Sequence, residues 1–595
     1  MAQEPQPTGP GAAQRATSKF LIFADFEKMN TRPARTALPE KEAAWMENLQ
    51  PVAPNNLEAI PAALAALTTL TAGETVQSIW WGYIGAIDYG IIFTAKGAGI
   101  AVNLTTGAQT QFAPDGTFSS PDMTTYASQR ILIADPVAGY CTWDGVAFVQ
   151  YGGVSPHIIV TDGGINYATA PLVTITGGHG IGATAFATVS GGAVIDVTLA
   201  TQGTGYLPGD TITVNFGGPG SGATATAILW PQVSCTTLAV FSGRVWFGNG
   251  RNFQWTGTNG YDDTDPANAA GSTIISDADL SHEITALRNL DNYLFIFGDS
   301  SIRQIGSISV SSGLTLFTTL TLTSDVGTPF PQTILSYNRL VLFCNKQGIY
   351  AIFGASVEKV SDDLDGIFSG SGGSPVAHSN IDFTLTPSAA LNDIRNIHCY
   401  MVLVRYIDPV IGARPILLVF QEKKWFVVSQ GNLVAITSAP LQSTKQIETF
   451  GSSGADITQL LQDSSTAVPI TLRTALSPHG NYVQAKAALK AGVSAEVEGS
   501  VAINMEIDTE NDTLDYMLTG APAVTWVNNS GGIVTWVNSS GGVIIWCGSG
   551  FVFPYSKVNG YGKFIGATIT ATVANFALNA VAIEYIEKSL WGQPQ

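Results

Sequence analysis

The chain has 595 residues, too many for one hydrophobic core, and at roughly 100–200 residues per domain it should divide into three or four units. It carries 27 Lys and Arg against 45 Asp and Glu, a net charge of −18, with 63 Gly and only 12% charged residues. That balance argues against a protein that grips nucleic acid by neutralising phosphates, because such proteins carry basic faces. Between Gly97 and Gly243 the only Lys or Arg is Arg130. Val, Ile, Thr and aromatic residues dominate the ordered stretches, which is an all-β profile. The cysteines Cys141, Cys235, Cys344, Cys399 and Cys547 are scattered, with no CxxC or Cys/His spacing, so neither zinc nor a disulfide scaffold is indicated. Cys344, inside LVLFCN, reads as a small buried hydrophobe. No secretory signal and no apolar run long enough to span a membrane is expected.

Residues 1–18 are rich in Pro, Gly, Ala and Gln and should be flexible or lie along a neighbour. Leu21–Phe26 (LIFADF) reads as a first strand, and Pro39–Leu49 (PEKEAAWMENL) as the best helix of the chain. Residues 1–75 are therefore expected to form an N-terminal arm and lead-in segment. From Val76 to about Tyr151 apolar hairpins follow one another, and Trp143 in ILIADPVAGYCTWDG should pack inward as core.

Residues 154–230 form a distinct unit with an internal repeat. GGINYATAPLVTITGGHGIGATAFATV is echoed about 40 residues later by QGTGYLPGDTITVNFGGPGSGATATAIL, aligning Tyr167 with Tyr206 and GIGATA with GSGATA. Two short β-units with Gly turns can bury one shared face, and strands of the earlier style resume at Ser234, so the pair reads as a surface insertion. Its Gly-rich segments lack the Lys-Ser/Thr of a phosphate loop, and His179 is a lone loop histidine.

From Thr236 to Phe368 hairpins recur: TTLAVFSGRVWFGNG, an acidic loop YDDTDP (Tyr261–Pro266), ITALRNLDNYLFIFGDSSIRQI, and SYNRLVLFCNKQGIYAIFG. None buries its apolar face alone, and a propeller of small sheets is the natural way to stack them. Residues 76–153 and 231–451 are read as its two parts. The pair Lys423–Lys424 is expected in a solvated turn.

Residues 452–595 read as a C-terminal β-sandwich, with alternating strands such as VAINMEID and IGATITATV. Asp508, Glu510, Asp512 and Asp515 suggest a hairpin tip rather than a calcium loop, since the Gly and terminal Glu of that loop are missing. Within the sandwich, 524–547 carries Trp526, Trp536 and Trp546 every ten residues, with Asn528 and Asn538 in the Gly-rich turns between them. An even period places the three rings on one sheet face, making these five residues the candidate contacts to a neighbouring subunit, partner or tip. No G-x-S-x-G elbow or HExxH appears, and the six histidines share no motif. No catalytic, cofactor-binding or metal-binding residue is assigned, and the chain is not expected to be an enzyme.

The order of WMENLQP (Trp45–Pro51), SGRVWF (Ser242–Phe247), the Asp/Pro loop, LFIFGDSSI (Leu294–Ile302), GIYAI (Gly348–Ile352) and KKWFVV (Lys423–Val428) resembles the nozzle, or tail-hub, proteins of short-tailed bacteriophages, the tail tubular protein B-like family. The resemblance extends loosely over 20–150 and 234–595 and leaves 154–230 outside. It implies a structural virion protein of the phage tail, made in the host cytoplasm. Six copies would ring a channel for genome ejection below the portal–adaptor ring and attach tail fibre or tip proteins. DNA would pass without sequence-specific binding, helped by acidic inward loops. The alternative is a carbohydrate- or receptor-binding virion protein that reads the host surface with the Trp repeat or the inserted module.

Overall fold

The computed structural model describes residues 17–588, apart from 72, 207–209, 230–232, 265, 278, 291, 369–380, 409–410, 521–535, 538–542 and 545–548. The fold is all-β: a β-propeller core, an inserted pair of small Gly-rich β-modules and a C-terminal β-sandwich. Among the described residues the one α-helix is Asp365–Phe368, and no helix is long and apolar enough to cross a membrane.

Six four-stranded sheets and one end of a ten-stranded sheet form a ring of seven blades. Their first strands are Val76–Ile84, Asp122–Tyr126, Thr237–Phe241, Ile284–Leu290, Leu335–Tyr337, Ser388–Ile394 and Ala435–Pro440. These strands stand side by side around the axis, and the seventh lies against the first. Each blade is sandwiched between two others, so its middle strands are buried on both faces and read as unbroken apolar runs. Examples are Arg130–Asp135 (RILIAD), Tyr293–Gly298 (YLFIFG) and Leu340–Asn345 (LVLFCN). Trp143 and Cys344 lie in this core, as their sequence contexts suggest. Tight turns join the strands. Glu422 and Lys423, both with positive φ, link Gly412–Gln421 to Lys424–Val428, so the lysine pair begins in a two-residue exposed turn.

The ring is closed by the N-terminal part of the chain. The seventh blade consists of Ala435–Pro440, Ile447–Ser453 and Asp456–Gln459, and its outer strand is Ala66–Thr69, which immediately precedes blade one. The propeller therefore starts before residue 76 and continues beyond 451. Antiparallel pairing of Ala66–Thr69 with Asp456–Gln459 thus ties the strand that leads into blade one to the last blade.

Residues 17–60 do not form an arm; the expectation for residues 1–16 lies outside the described residues. Lys19–Ala24 pairs with Phe576–Glu587, with Leu21 opposite Ile583. Asn56–Ala59 joins the same sheet. The helix expected at Pro39–Leu49 is absent: Glu42–Ala43, Trp45–Glu47 and Leu49–Ala53 are strands. Every residue from Ala43 to Gln50 is buried, a two-sided burial that an amphipathic surface helix cannot provide. Trp45–Glu47 pairs with Val468–Arg473 of the sandwich on one edge and with blade six, through Val427, on the other. Consequently one ten-stranded sheet runs from blade six into the sandwich.

Glu47 fixes that junction. Arg414 from blade six donates two hydrogen bonds to its carboxylate, at 2.5 and 2.8 Å. The Trp45 indole N–H donates at 2.9 Å and the Ser429 hydroxyl at 2.8 Å. Burial pushes the carboxyl up, but the hydrogen bonds and charge of Arg414, with those of Trp45 and Ser429, outweigh it and hold the group below its ordinary range. On the far side of the sandwich, Arg35 donates to Asp508 at 2.7 Å and to the carbonyls of Thr474 and Ala567. Asp508 opposes Thr513 across the turn of a hairpin, so the acidic group does sit at a tip.

The insert is a six-stranded sheet in the order 213–216, 172–176, 181–190, 193–204, 154–165, 221–229. Its end strands lie side by side, curling it into a small barrel. The two repeats interlock rather than stack. Tyr167 of the first is buried over Gly220 of the second, and Tyr206 of the second over Gly180 of the first. At both places a Cβ would overlap the ring. Gly164 and Gly203, both at positive φ, occupy equivalent positions beneath the two rings.

Candidate functional site

The propeller axis carries a buried polar cluster. Asp122 stands on the first strand of blade two, Thr237 on that of blade three and Arg288 on that of blade four. The Asp122 carboxylate accepts from the Thr237 hydroxyl at 2.5 Å and from the Arg288 guanidinium at 2.8 Å. Thr237 in turn accepts the Leu287 backbone N–H at 2.9 Å. Arg288 also donates to the carbonyl of Pro331, at the start of blade five, at 3.0 Å. Its guanidinium carbon lies 5.4 Å from the ring centre of Trp80, on the first strand of blade one. One side chain thus touches blades one, two and five from blade four. The ion pair is shielded: the Arg288 and Asp122 side chains are 13% and 4% exposed.

The seams between blades repeat this use of directed polar contacts. Asp88 of blade one accepts the Gln442 backbone N–H of blade seven at 2.7 Å. Asn392 of blade six donates to Thr449 of blade seven at 2.9 Å. Tyr400 of blade six donates to the Thr333 carbonyl at 2.7 Å, and burial pushes its hydroxyl well above the usual tyrosine range. At the seam of blades two and three, Tyr140 donates to the carbonyl of Tyr261 at 2.7 Å. Tyr261 opens the acidic loop, and Arg130 lies over its ring at 4.5 Å. In the same loop, burial pushes the Asp262 carboxyl up. The loop is therefore packed onto the ring at one end.

Of the five candidate contact residues, Trp526, Trp546, Asn528 and Asn538 lie outside the described residues. Trp536 stands on a short strand opposite Ile544, with Val537 opposite Val543, so this part of the repeat is a hairpin. Both ends of the repeat leave the same end of the sandwich: Gly520 pairs with Val501 and Ser549 with Glu498. His179 is exposed, and its Nδ1 lies 2.7 Å from the Asp210 carboxylate.

Two features escaped the sequence reading. The Asp122–Arg288 pair joins positions far apart in the chain, and only Arg288's place in an apolar strand (ITALRNL) marked it. The other is the fourth blade's last hairpin, Ile302–Ser311 and Leu314–Thr323, whose ten-residue strands outgrow the blade. On one face Phe317 packs edge-on against Trp246 and Trp255 of blade three, at 5.5 and 5.3 Å. On the other, Leu314, Leu316 and Leu320 are exposed. The uncharged Leu/Thr alternation was the available signal.

No family model and no curated protein matches the chain. Among solved structures, "The crystal structure of BamB from Moraxella catarrhalis" aligns with 11% identity over 70% of this chain and 93% of that one, at a TM-score of 0.29.

Proposed function

We propose that the chain is the nozzle of a short phage tail, a structural virion protein whose copies form a ring below the portal–adaptor and enclose the channel for genome ejection. The observation that carries this reading is a propeller cross-braced by Arg288 and joined through one continuous sheet to a sandwich in which the first and last described strands pair. A subunit so braced is a stiff wall element. In this reading a duplex travels between copies rather than through a propeller. The net charge of −18 suits such a wall, since acidic surfaces repel phosphates over about 8 Å at physiological salt. The order of the quoted motifs supports the same reading, and no enzymatic role is proposed.

The test is sedimentation of the purified chain with portal–adaptor complexes of a short-tailed phage. Stoichiometric co-sedimentation is expected. Failure to associate, combined with retention on a host surface polysaccharide, would replace the nozzle reading with one of receptor binding.

A further inference from the structure

Every propeller blade ends in an outer strand whose second edge has no partner within the blade, and short strands keep that edge harmless. Here the outer strands of blades one, two, three, five and seven have 5, 3, 4, 4 and 4 residues. That of blade six, with 5, is covered by Trp45–Glu47. Blade four is the exception. Leu314–Thr323 has 10 residues, and among the described residues its sole ladder partner is Ile302–Ser311. Its sequence, LTLFTTLTLT, contains no charge, no proline and no glycine, the devices that usually spoil an edge. No charged residue occurs from Gln304 to Ser324. The hairpin is also held in place: Phe317 packs on Trp246 and Trp255, and Thr315 donates to the Ala269 carbonyl at 2.6 Å. The result is a long, anchored edge, with a register shift at Ile305–Ile308 in the strand beside it, next to a row of Leu314, Leu316 and Leu320, which are 66%, 51% and 52% exposed.

We infer that this edge is where one copy of the chain pairs with the next, adding a strand or strand-like segment of the neighbour to blade four. This rests on the ring proposed above. Two chains of charge −18 repel, so contact costs least where charge is absent, and this edge supplies uncharged surface together with backbone groups to pair. The insert also exposes apolar residues, Leu172, Ile181 and Phe186. However, its end strands, Thr213–Phe216 and Ser221–Leu229, lie beside each other, so part of each edge is covered by the other.

The experiment compares the wild-type full chain, Leu316→Lys/Leu320→Lys, and the insert control Leu172→Lys/Phe186→Lys, by sedimentation velocity over a concentration series and by electron microscopy. Thermal unfolding of each monomer checks the fold. The edge variant should unfold like the wild type yet need about tenfold or more protein to assemble, because association would bury unpaired charges. The insert control should assemble normally. Alternate backbone amides of 314–323 should gain protection from hydrogen exchange on assembly, a sign of strand pairing rather than packing alone. Wild-type rings that persist in the edge variant, or that leave these amides unprotected, overturn the edge assignment and spare the ring. Wild-type oligomers that are not rings, abolished by the edge variant, keep the edge and overturn the ring. A wild-type chain that stays monomeric overturns both.

Discussion

At the residue scale, the molecule depends on a few buried charged pairs that join elements far apart in the chain. Arg288 contacts three blades besides its own, and removing it leaves Asp122 buried with only Thr237 and backbone N–H partners. Arg288→Ala should cost about 3–5 kcal/mol in denaturant unfolding of the propeller. Arg288→Lys should recover little, since a point charge cannot reproduce the guanidinium's separate contacts to Asp122 and Pro331. Glu47 gives a pH signature. Its carboxyl is held below the ordinary value of 4.5, so its stabilisation is complete above about pH 4.5 and is lost as pH falls through the lower folded value. Acid should loosen the propeller–sandwich junction, read from emission of Trp45, which stacks on Tyr406 at 5.2 Å. Glu47→Gln should remove that acid-side dependence and cost about 3 kcal/mol by leaving Arg414 without its main partner.

At the scale of elements, the insert behaves as a separable body. Val154 and Leu229 are paired, so its two ends leave the propeller side by side. Replacing residues 154–229 with a short Gly-Ser link should leave the circular dichroism and main unfolding transition of the remainder within a few degrees of the intact chain. Aggregation of that variant would mean that the insert shields core. Within the insert, Gly180→Ala or Gly220→Ala should cost about 1–3 kcal/mol by forcing a methyl into a Tyr ring. Limited proteolysis confined to 154–229 would report it. What was legible in the sequence is what is local. Gly-Tyr repeats, hairpin turns and apolar runs showed the blades, because nearly every blade strand pairs with its sequence neighbour; the insert was legible through its repeat alone, since 154–165 pairs with 193–204 and 221–229, and 172–176 with 213–216. The N-terminal strands were not legible. Lys19–Ala24 finds its partner at 576–587 and Trp45–Glu47 at 468–473, and no local pattern encodes a partner so distant. The helix expected at Pro39–Leu49 failed for the same reason: tertiary pairing overrode good helix formers. The Trp repeat announced a hairpin, and Trp536 does stand on one, but a period of ten says nothing about what its rings touch.

At the scale of the whole molecule, the central claim is that a closed, acidic, cross-braced subunit builds a passage with its neighbours rather than through itself. The Arg288 brace, the sheet shared by blade six and the sandwich, and the long edge of blade four all bear on that claim. The most direct test is electron microscopy of the purified chain at high concentration, alone and with the portal–adaptor complex. The account predicts six-fold rings with an open centre, each subunit's propeller filled at its own axis, and a collar below the adaptor. Separate single particles under both conditions, or a ring whose only opening runs through the propellers, would contradict it.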